Sequence, residues 1–283
     1  MDKHHTHQLY SKIFLIGEYA ACQHGRGIVF CFPPVFEMSF HTAPNTNDPI
    51  FSKLQLKYPC LQSLNCHIHS PHRHGGFGQS SAVFRAVHQH LCDHQIIPTS
   101  NLKTDYMWYL QHAWDGHGLT PSGLDFLSQP FPGCHLIDRD QSQIITTHCL
   151  QETFGILICH MKQKVATHTH LKTIDPSFNS EVLDEYTQNA MNALTHRDTS
   201  TFLSALEAFQ NEIRSHDLEH PQTTAFLSQI TPHPLIQHAR GCGALGADVV
   251  LILTKPAHCN TVYQELSKHE AIQHIYRPFH NEH

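Results

Sequence analysis

The chain has 283 residues, 40% of them hydrophobic, and a formal net charge of −6 with a sequence pI near 6.5. That apolar content can bury a core, which excludes a wholly disordered chain, and the length fits two domains of ordinary size or one large one. There is no basic run, no apolar stretch of about 18 residues and no apolar segment in the polar, His-rich start, so a nucleic-acid binder, a membrane span and a secretory leader are not expected, and a soluble cytoplasmic protein is.

Lys12 to Ile16 is a short β-prone run that ends at Gly17-Glu18-Tyr19-Ala20, and Ile28 to Phe32 is a second run after Gly25 and Gly27. Strand, turn, strand is predicted, ended by Pro33-Pro34. Residues 42–50, rich in Asn, Thr and Pro, read as a loop. Gly75-Gly76-Phe77-Gly78 then runs into Gln79-Ser80-Ser81, and Ala82, Val83, Ala86, Val87 and Leu91 recur at helical spacing. A glycine loop opening directly into a helix is predicted, with Ser80 or Ser81 as N-cap. Another helix is predicted over 105–114, and Gly116 to Gly123 forms a Gly/Pro loop that delivers Asp125. Residues 154–161 read as a buried strand, and a boundary near residue 150 divides the chain into domains of 1–150 and 151–283. Two amphipathic helices follow. One carries Val182, Leu183, Tyr186, Ala190 and Leu194 on a face, the other Phe202, Leu206, Phe209 and Ile213, and both stripes read as core packing. Last, Arg240-Gly241-Cys242-Gly243-Ala244-Leu245-Gly246 precedes an apolar strand at Val249 to Leu253.

The ten cysteines form no Cys-Xaa-Xaa-Cys pair, and several lie in apolar runs, which reads as reduced, mostly buried thiols. Histidine is the unusual count at 29, densest at Cys66, His67, His69, His72 and His74. Zinc needs four ligands converging on one point. Alternating spacing followed by Pro71 supplies no clear ligand frame, so compositional bias is the preferred reading of this cluster.

Phosphate oxygens need several N–H donors aimed at one spot, and a glycine turn opening a helix provides them together with the positive end of the helix dipole. Gly76-Phe77-Gly78 with Ser80-Ser81 meets that need, although no Gly-Lys-Ser/Thr closes it as in a Walker loop. Phosphoryl transfer also needs charge neutralisation and an oriented nucleophile. Lys12, at the start of the first strand, is a source of positive charge. Asp125, after the rigid Thr120-Pro121-Ser122-Gly123-Leu124 turn, is a candidate to accept a hydroxyl proton.

In this order the segments resemble the GHMP kinase superfamily, which phosphorylates galactose, homoserine, mevalonate and phosphomevalonate. Lys12 to Ala20 is similar to its N-terminal motif, Gly76 to Ala82 to its central phosphate loop, Gly241 to Gly246 to its third motif, and Pro121 to Asp125 to the segment bearing its aspartate. The resemblance implies a two-domain α/β (α+β) fold: an N-terminal domain with a left-handed β-α-β unit and a C-terminal ferredoxin-like domain. It implies ATP over the central loop, Mg²⁺ beside it, and a small-molecule substrate in the cleft. Lys12 and Asp125 would be the catalytic pair. Gly76, Gly78, Gln79, Ser80 and Ser81 would cradle the phosphates, with Ser80 also on Mg²⁺. Gly241, Gly243 and Gly246 would let a loop approach the site, and Glu18, Tyr19 and Ser122 would contact substrate. Oligomeric state stays open, a homodimer included.

Ser11-Lys12-Ile13, where sugar kinases of the family carry Arg-Xaa-Asn, favours the mevalonate branch. Pro-Ser-Gly-Leu-Asp most resembles mevalonate kinase, and Gly-Glu-Tyr-Ala phosphomevalonate kinase. The chain departs from the family pattern at Gln79 and Ala244-Leu245. It departs also at Trp114, the position of the metal-binding Glu of mevalonate kinases. Either the adjacent Asp115 substitutes, or Mg²⁺ is held differently. A phosphorylated substrate needs extra cations, for which Arg73, Lys103 and Arg139 are candidates. The leading expectation is mevalonate kinase, the alternative phosphomevalonate kinase, and the reading of another class a non-catalytic binding or regulatory protein of the same fold.

Overall fold

The structure is a computed structural model and describes residues 6–41, 48–72, 75–98, 101–162, 180–243 and 248–278. β1 (Thr6–Ile16) and β2 (Arg26–His41) form a long antiparallel ladder, joined through the Gly17 turn and α1 (Ala20–His24). β2 is the spine of the first sheet. Opposite β1, its first half pairs with β4 (Gly133–Asp138) and its second half with β3 (Asn65–His69), while β5 (Gln143–Thr147) lies beyond β4. β3 and β4 are both antiparallel to β2 and so run the same way. The crossover between them carries α3 (Gln79–Asp93), α4 (Leu102–Ala113) and α5 (Leu124–Ser128), and α2 (Pro49–Gln55) precedes β3.

After α6 (Cys149–Thr153) the chain enters a second sheet through β6 (Gly155–Met161). It then forms α7 (Ser180–Thr195), α8 (Thr199–Ser215), α9 (Pro221–Ile230), β7 (Ile236–Cys242), β8 (Val249–Thr254), α10 (Cys259–Leu266) and β9 (Ile272–Tyr276). The strand order is β7-β8-β6-β9, all antiparallel. This is the strand-helix-strand-strand-helix-strand arrangement of a ferredoxin-like unit.

Strand alternation explains the layering. Ile156, Ile158, Val249, Leu251 and Leu253 face the same apolar cluster as Ile13, Leu15, Phe30 and Phe32 of the first sheet. Leu157, Cys159, Val250 and Ile252 face Phe226 and Leu227 of α9 and Val262 and Leu266 of α10. One core therefore runs through both sheets, with α7 and α8 contributing Leu183, Ala190, Leu194, Phe202, Leu206 and Phe209 to it. Each fully buried Leu, Ile or Phe contributes on the order of 2 kcal/mol.

Four local expectations change. The strand does not end at Pro33-Pro34: the β1–β2 register jumps between Tyr10 and Ser11, so the two prolines lie in an irregularity where no ladder donor is required. The 42–50 loop gives way to α2, whose N-cap Asp48 accepts from Ile50 and Phe51 amides, and 42–47 lie outside the described residues. The N-cap of α3 is Gly78, not Ser80 or Ser81. Gly241 lies inside β7, paired with Val250, rather than in a loop. Among the described residues no helix is long and apolar enough to cross a membrane. None of the ten cysteines is in a disulfide, and all but Cys22 and Cys60 are buried.

Candidate active site

Alternation along β1 sends Ile13 and Leu15 into the main core and turns Lys12 and Phe14 to the other face, where α5 packs. There Lys12 Nζ meets Asp125 Oδ2 at 2.6 Å, with the two side chains 10% and 24% exposed. Asp125 stands in the first turn of α5, which is capped by Gly123 in the left-handed conformation. Its Oδ1 is buried and has no hydrogen-bond partner among the described residues. Such an oxygen costs about 1–3 kcal/mol, a burden typical of functional sites.

The glycine loop lies directly against this pair. Lys12 N donates to the Phe77 carbonyl at 3.1 Å. A Cβ on Gly78, whose φ is +89°, would sit 2.7 Å from Lys12 Cε and 3.0 Å from Gln129 Nε2. Gly78 is thus bare because the lysine side chain passes over it, and its left-handed φ is open to glycine at no cost. A Cβ on Gly76 would meet Val249 of β8 at 2.9 Å, so the loop also touches the second sheet. Among the described residues no side chain caps α3. Its first amides, at Gln79 and Ser80, therefore remain available to an anion. Ser80 is exposed at this helix start. Ser81 is 5% exposed and donates back to the Gly78 carbonyl at 3.0 Å, which makes it part of the loop's own scaffold.

Sequence reasoning missed Gln129. It is wholly buried, and its Nε2 donates to the carbonyls of Tyr10 and Gly78 at 3.1 Å each, while its own carbonyl accepts from Tyr10 N at 2.9 Å. One side chain after α5 therefore clips strand to loop. No local pattern marks it, because its partners are main-chain atoms far away in sequence.

Glu18 lies 5% exposed, with Oε1 accepting from Arg240 Nη2 at 2.8 Å and from the Gly243 amide at 3.2 Å. Arg240 is fully buried, stacks over Phe209 and donates also to the Leu15 carbonyl. The first and third motifs are thus joined by a buried ion pair. Gly246, with Ala244 and Leu245, lies outside the described residues. Tyr19 is 1% exposed and donates its hydroxyl to the Leu218 carbonyl at 3.1 Å, which places it in the core rather than at a cleft.

The Ser122 turn is held from below. Arg139 Nη1 donates to the carbonyls of Ser122 and Ala21 at 3.1 and 3.3 Å and to Tyr106 Oη at 3.0 Å, and Tyr106 donates to the Pro121 carbonyl at 3.2 Å. Ser122 Oγ itself accepts from the Leu124 amide at 3.5 Å. Asp115 sits on an exposed turn after α4, where Oδ1 accepts from the His117 amide at 3.1 Å. Lys103 is exposed on α4, and Arg73 lies outside the described residues. Of the histidine cluster, Cys66 enters the core while His67 and His69 point to the opposite face of β3, and His74 lies outside the described residues. Among the described residues no group of three or more His, Cys, Asp or Glu side chains is arranged to hold a metal.

Solved structures match this architecture over its whole length. The chain is similar to the mevalonate kinase of Methanococcus jannaschii, with a TM-score of 0.68 at 14% identity over 99% of each chain. It is similar to L. major mevalonate kinase in complex with R-mevalonate, with a TM-score of 0.69 at 16% identity over 96% of this chain and 94% of that one. It is similar also to Streptococcus pneumoniae phosphomevalonate kinase in complex with phosphomevalonate and AMPPNP, with a TM-score of 0.72 at 13% identity over 96% and 99%. No protein-family model and no curated protein sequence matches the chain. At these identities the likeness is one of fold, and the fold is that of the GHMP kinases.

Proposed function

From a chain with the GHMP kinase fold, we propose an ATP-dependent small-molecule kinase of that superfamily, acting in the cytoplasm with mevalonate as phosphoryl acceptor. The observation that carries the reading is the 2.6 Å Lys12–Asp125 pair lying against a bare glycine loop and an uncapped helix start. The amides of Gln79 and Ser80, with the loop amides of Gly76 and Gly78, hold the phosphates of ATP. Gly76 and Gly78 let the triphosphate approach the backbone. Mg²⁺ needs few protein ligands when it travels with a triphosphate. The exposed Ser80 hydroxyl fits that need, and Mg²⁺ held there would supply positive charge against the phosphates. Asp115 serves its own turn.

Asp125 Oδ2, the carboxylate oxygen that is not the buried one, receives the proton of the acceptor's primary hydroxyl as that oxygen attacks the γ-phosphorus, the bond from phosphorus to the bridging oxygen breaks, and ADP leaves. The Lys12 ammonium stands beside the transferred group and offsets its developing charge. Arg139 supports mevalonate over its phosphorylated form, since its guanidinium is occupied with the Ser122 turn.

The test is ADP release by the purified protein with ATP and a panel of mevalonate, phosphomevalonate, galactose and homoserine. Turnover with mevalonate above the others is expected. Turnover with phosphomevalonate alone would move the assignment one step along, and turnover with neither would remove this branch. A non-catalytic protein of the same fold would show no release with any member of the panel.

A further inference from the structure

His72 belongs to the histidine cluster and has no part in the reaction above. It is 5% exposed, and both ring nitrogens are engaged: Nε2 lies 2.6 Å from Ser11 Oγ and Nδ1 lies 2.8 Å from Tyr276 Oη. The direction of each bond follows from the partners. Ser11 donates its single hydroxyl proton to the Pro34 carbonyl at 2.5 Å, so Oγ accepts from Nε2–H. The neutral ring then accepts at Nδ1 from the Tyr276 hydroxyl. Burial, ahead of the neighbouring His160 and His274, pulls the imidazole down to about 4, which keeps it neutral near pH 7.

The faces of the ring are engaged as well. Phe77 stacks on it at 4.1 Å between centroids, and Phe36 meets it edge-on at 5.5 Å. Phe77 is the middle residue of the glycine loop, and its carbonyl receives the Lys12 amide. Ser11 is the residue before Lys12. The strand that carries the lysine and the loop that lies against it therefore rest on one imidazole. That imidazole is tied to Tyr276 of β9, in the second sheet, whose ring also meets Phe77 edge-on at 5.1 Å.

We propose that His72 is a positioning residue. The chain Ser11–His72–Tyr276 holds the glycine loop and Lys12 in place and lets the second sheet set the affinity of the nucleotide site. This rests on reading that loop as phosphate-binding. It also gives His72 a role incompatible with a metal ligand, since neither nitrogen has a lone pair to spare.

Tyr276→Phe removes one hydroxyl and keeps the ring contacts. Titration of the full chain with AMPPNP is expected to show binding about fivefold weaker, the net effect of one hydrogen bond. The KM for ATP should rise by a similar factor, more than kcat falls. His72→Phe keeps an aromatic face against Phe77 and loses both hydrogen bonds. In that background Tyr276→Phe should add nothing further, because the two share one chain. A merely structural tyrosine would shift the thermal midpoint and leave AMPPNP binding alone. Unchanged AMPPNP binding in Tyr276→Phe overturns the proposal even if His72→Phe fails to fold. Absence of AMPPNP binding in the unmodified chain overturns the phosphate-loop reading first, and the proposal with it.

Discussion

Lys12 and Asp125 come from positions far apart in sequence, and each is aimed by its own element. Strand alternation turns the lysine to the α5 face, and the Gly123 cap starts the helix so that its second residue faces the strand. Asp125→Asn keeps the size of the side chain and removes its basicity. It is expected to lower kcat with ATP and mevalonate by about 10²–10⁴-fold, as loss of a general base does, with an unchanged far-ultraviolet circular dichroism spectrum. An unchanged kcat in Asp125→Asn would end the catalytic reading. These two residues were legible in the sequence because each is a chemically competent type beside a recognisable turn. Gln129 and Arg240 were not, and Arg139 was named for a substrate phosphate rather than for the Ser122 turn it holds, since each acts by donating to carbonyls or carboxylates distant in the chain. Tyr19 was misjudged for a related reason. A tyrosine in a motif looks like a ligand contact, yet its ring fills the core and its hydroxyl answers Leu218.

At the scale of elements, the glycine loop and α3 were readable from glycine spacing and helical periodicity, but the cap was not. Serine is a good N-cap in general, and here the left-handed Gly78 takes the position because Lys12 crosses its open face. Gly78→Ala sets a methyl group 2.7 Å from Lys12 Cε in a backbone region that costs an L-residue about 1–2 kcal/mol. Lower nucleotide affinity and a lower thermal midpoint are expected together, measured by AMPPNP titration and calorimetry. A variant matching the parent in both would mean that the loop tolerates displacement and does not shape the phosphate site. The continuation of β2 through Pro33-Pro34 was equally invisible, because proline pairs read as strand ends unless a partner strand leaves room for them.

The whole molecule is bound by a core shared between its two sheets, by smaller apolar layers on their outer faces, and by buried charge pairs such as Arg240–Glu18. Arg240→Met leaves Glu18 buried without its partner, and loss of one member of such a pair costs about 3–5 kcal/mol. That is a large share of an ordinary domain's stability, so a marked fall in the urea midpoint is expected. A midpoint within error of the parent would show that Glu18 reaches solvent in the variant. Histidine burial supplies a second global effect. Burial lowers His72 and His88 to about 4 and His238 to about 3. In the unfolded chain these rings titrate near 6.5. The stability they carry as neutral groups is complete above about pH 6.5. It is lost as pH falls toward the folded values, because only the unfolded chain takes up protons in that window. The slope is at most about 1.4 kcal/mol per pH unit for each ring. Urea midpoints measured from pH 7.5 to 4.5 should therefore drop steeply below pH 6.5, and a flat profile would contradict the buried, neutral assignment.

Two of the bonds that register β1 against the glycine loop and the end of α5 run between main-chain atoms, Lys12 N to Phe77 O and Tyr10 N to Gln129 O. Main-chain bonds do not depend on side-chain identity. Substitutions beside these two bonds can therefore leave the bonds in place, whereas Gly78 and Gln129, which act through a missing side chain and a particular one, have no such freedom. A frame fixed by main-chain bonds is compatible with one fold being kept at very low sequence identity.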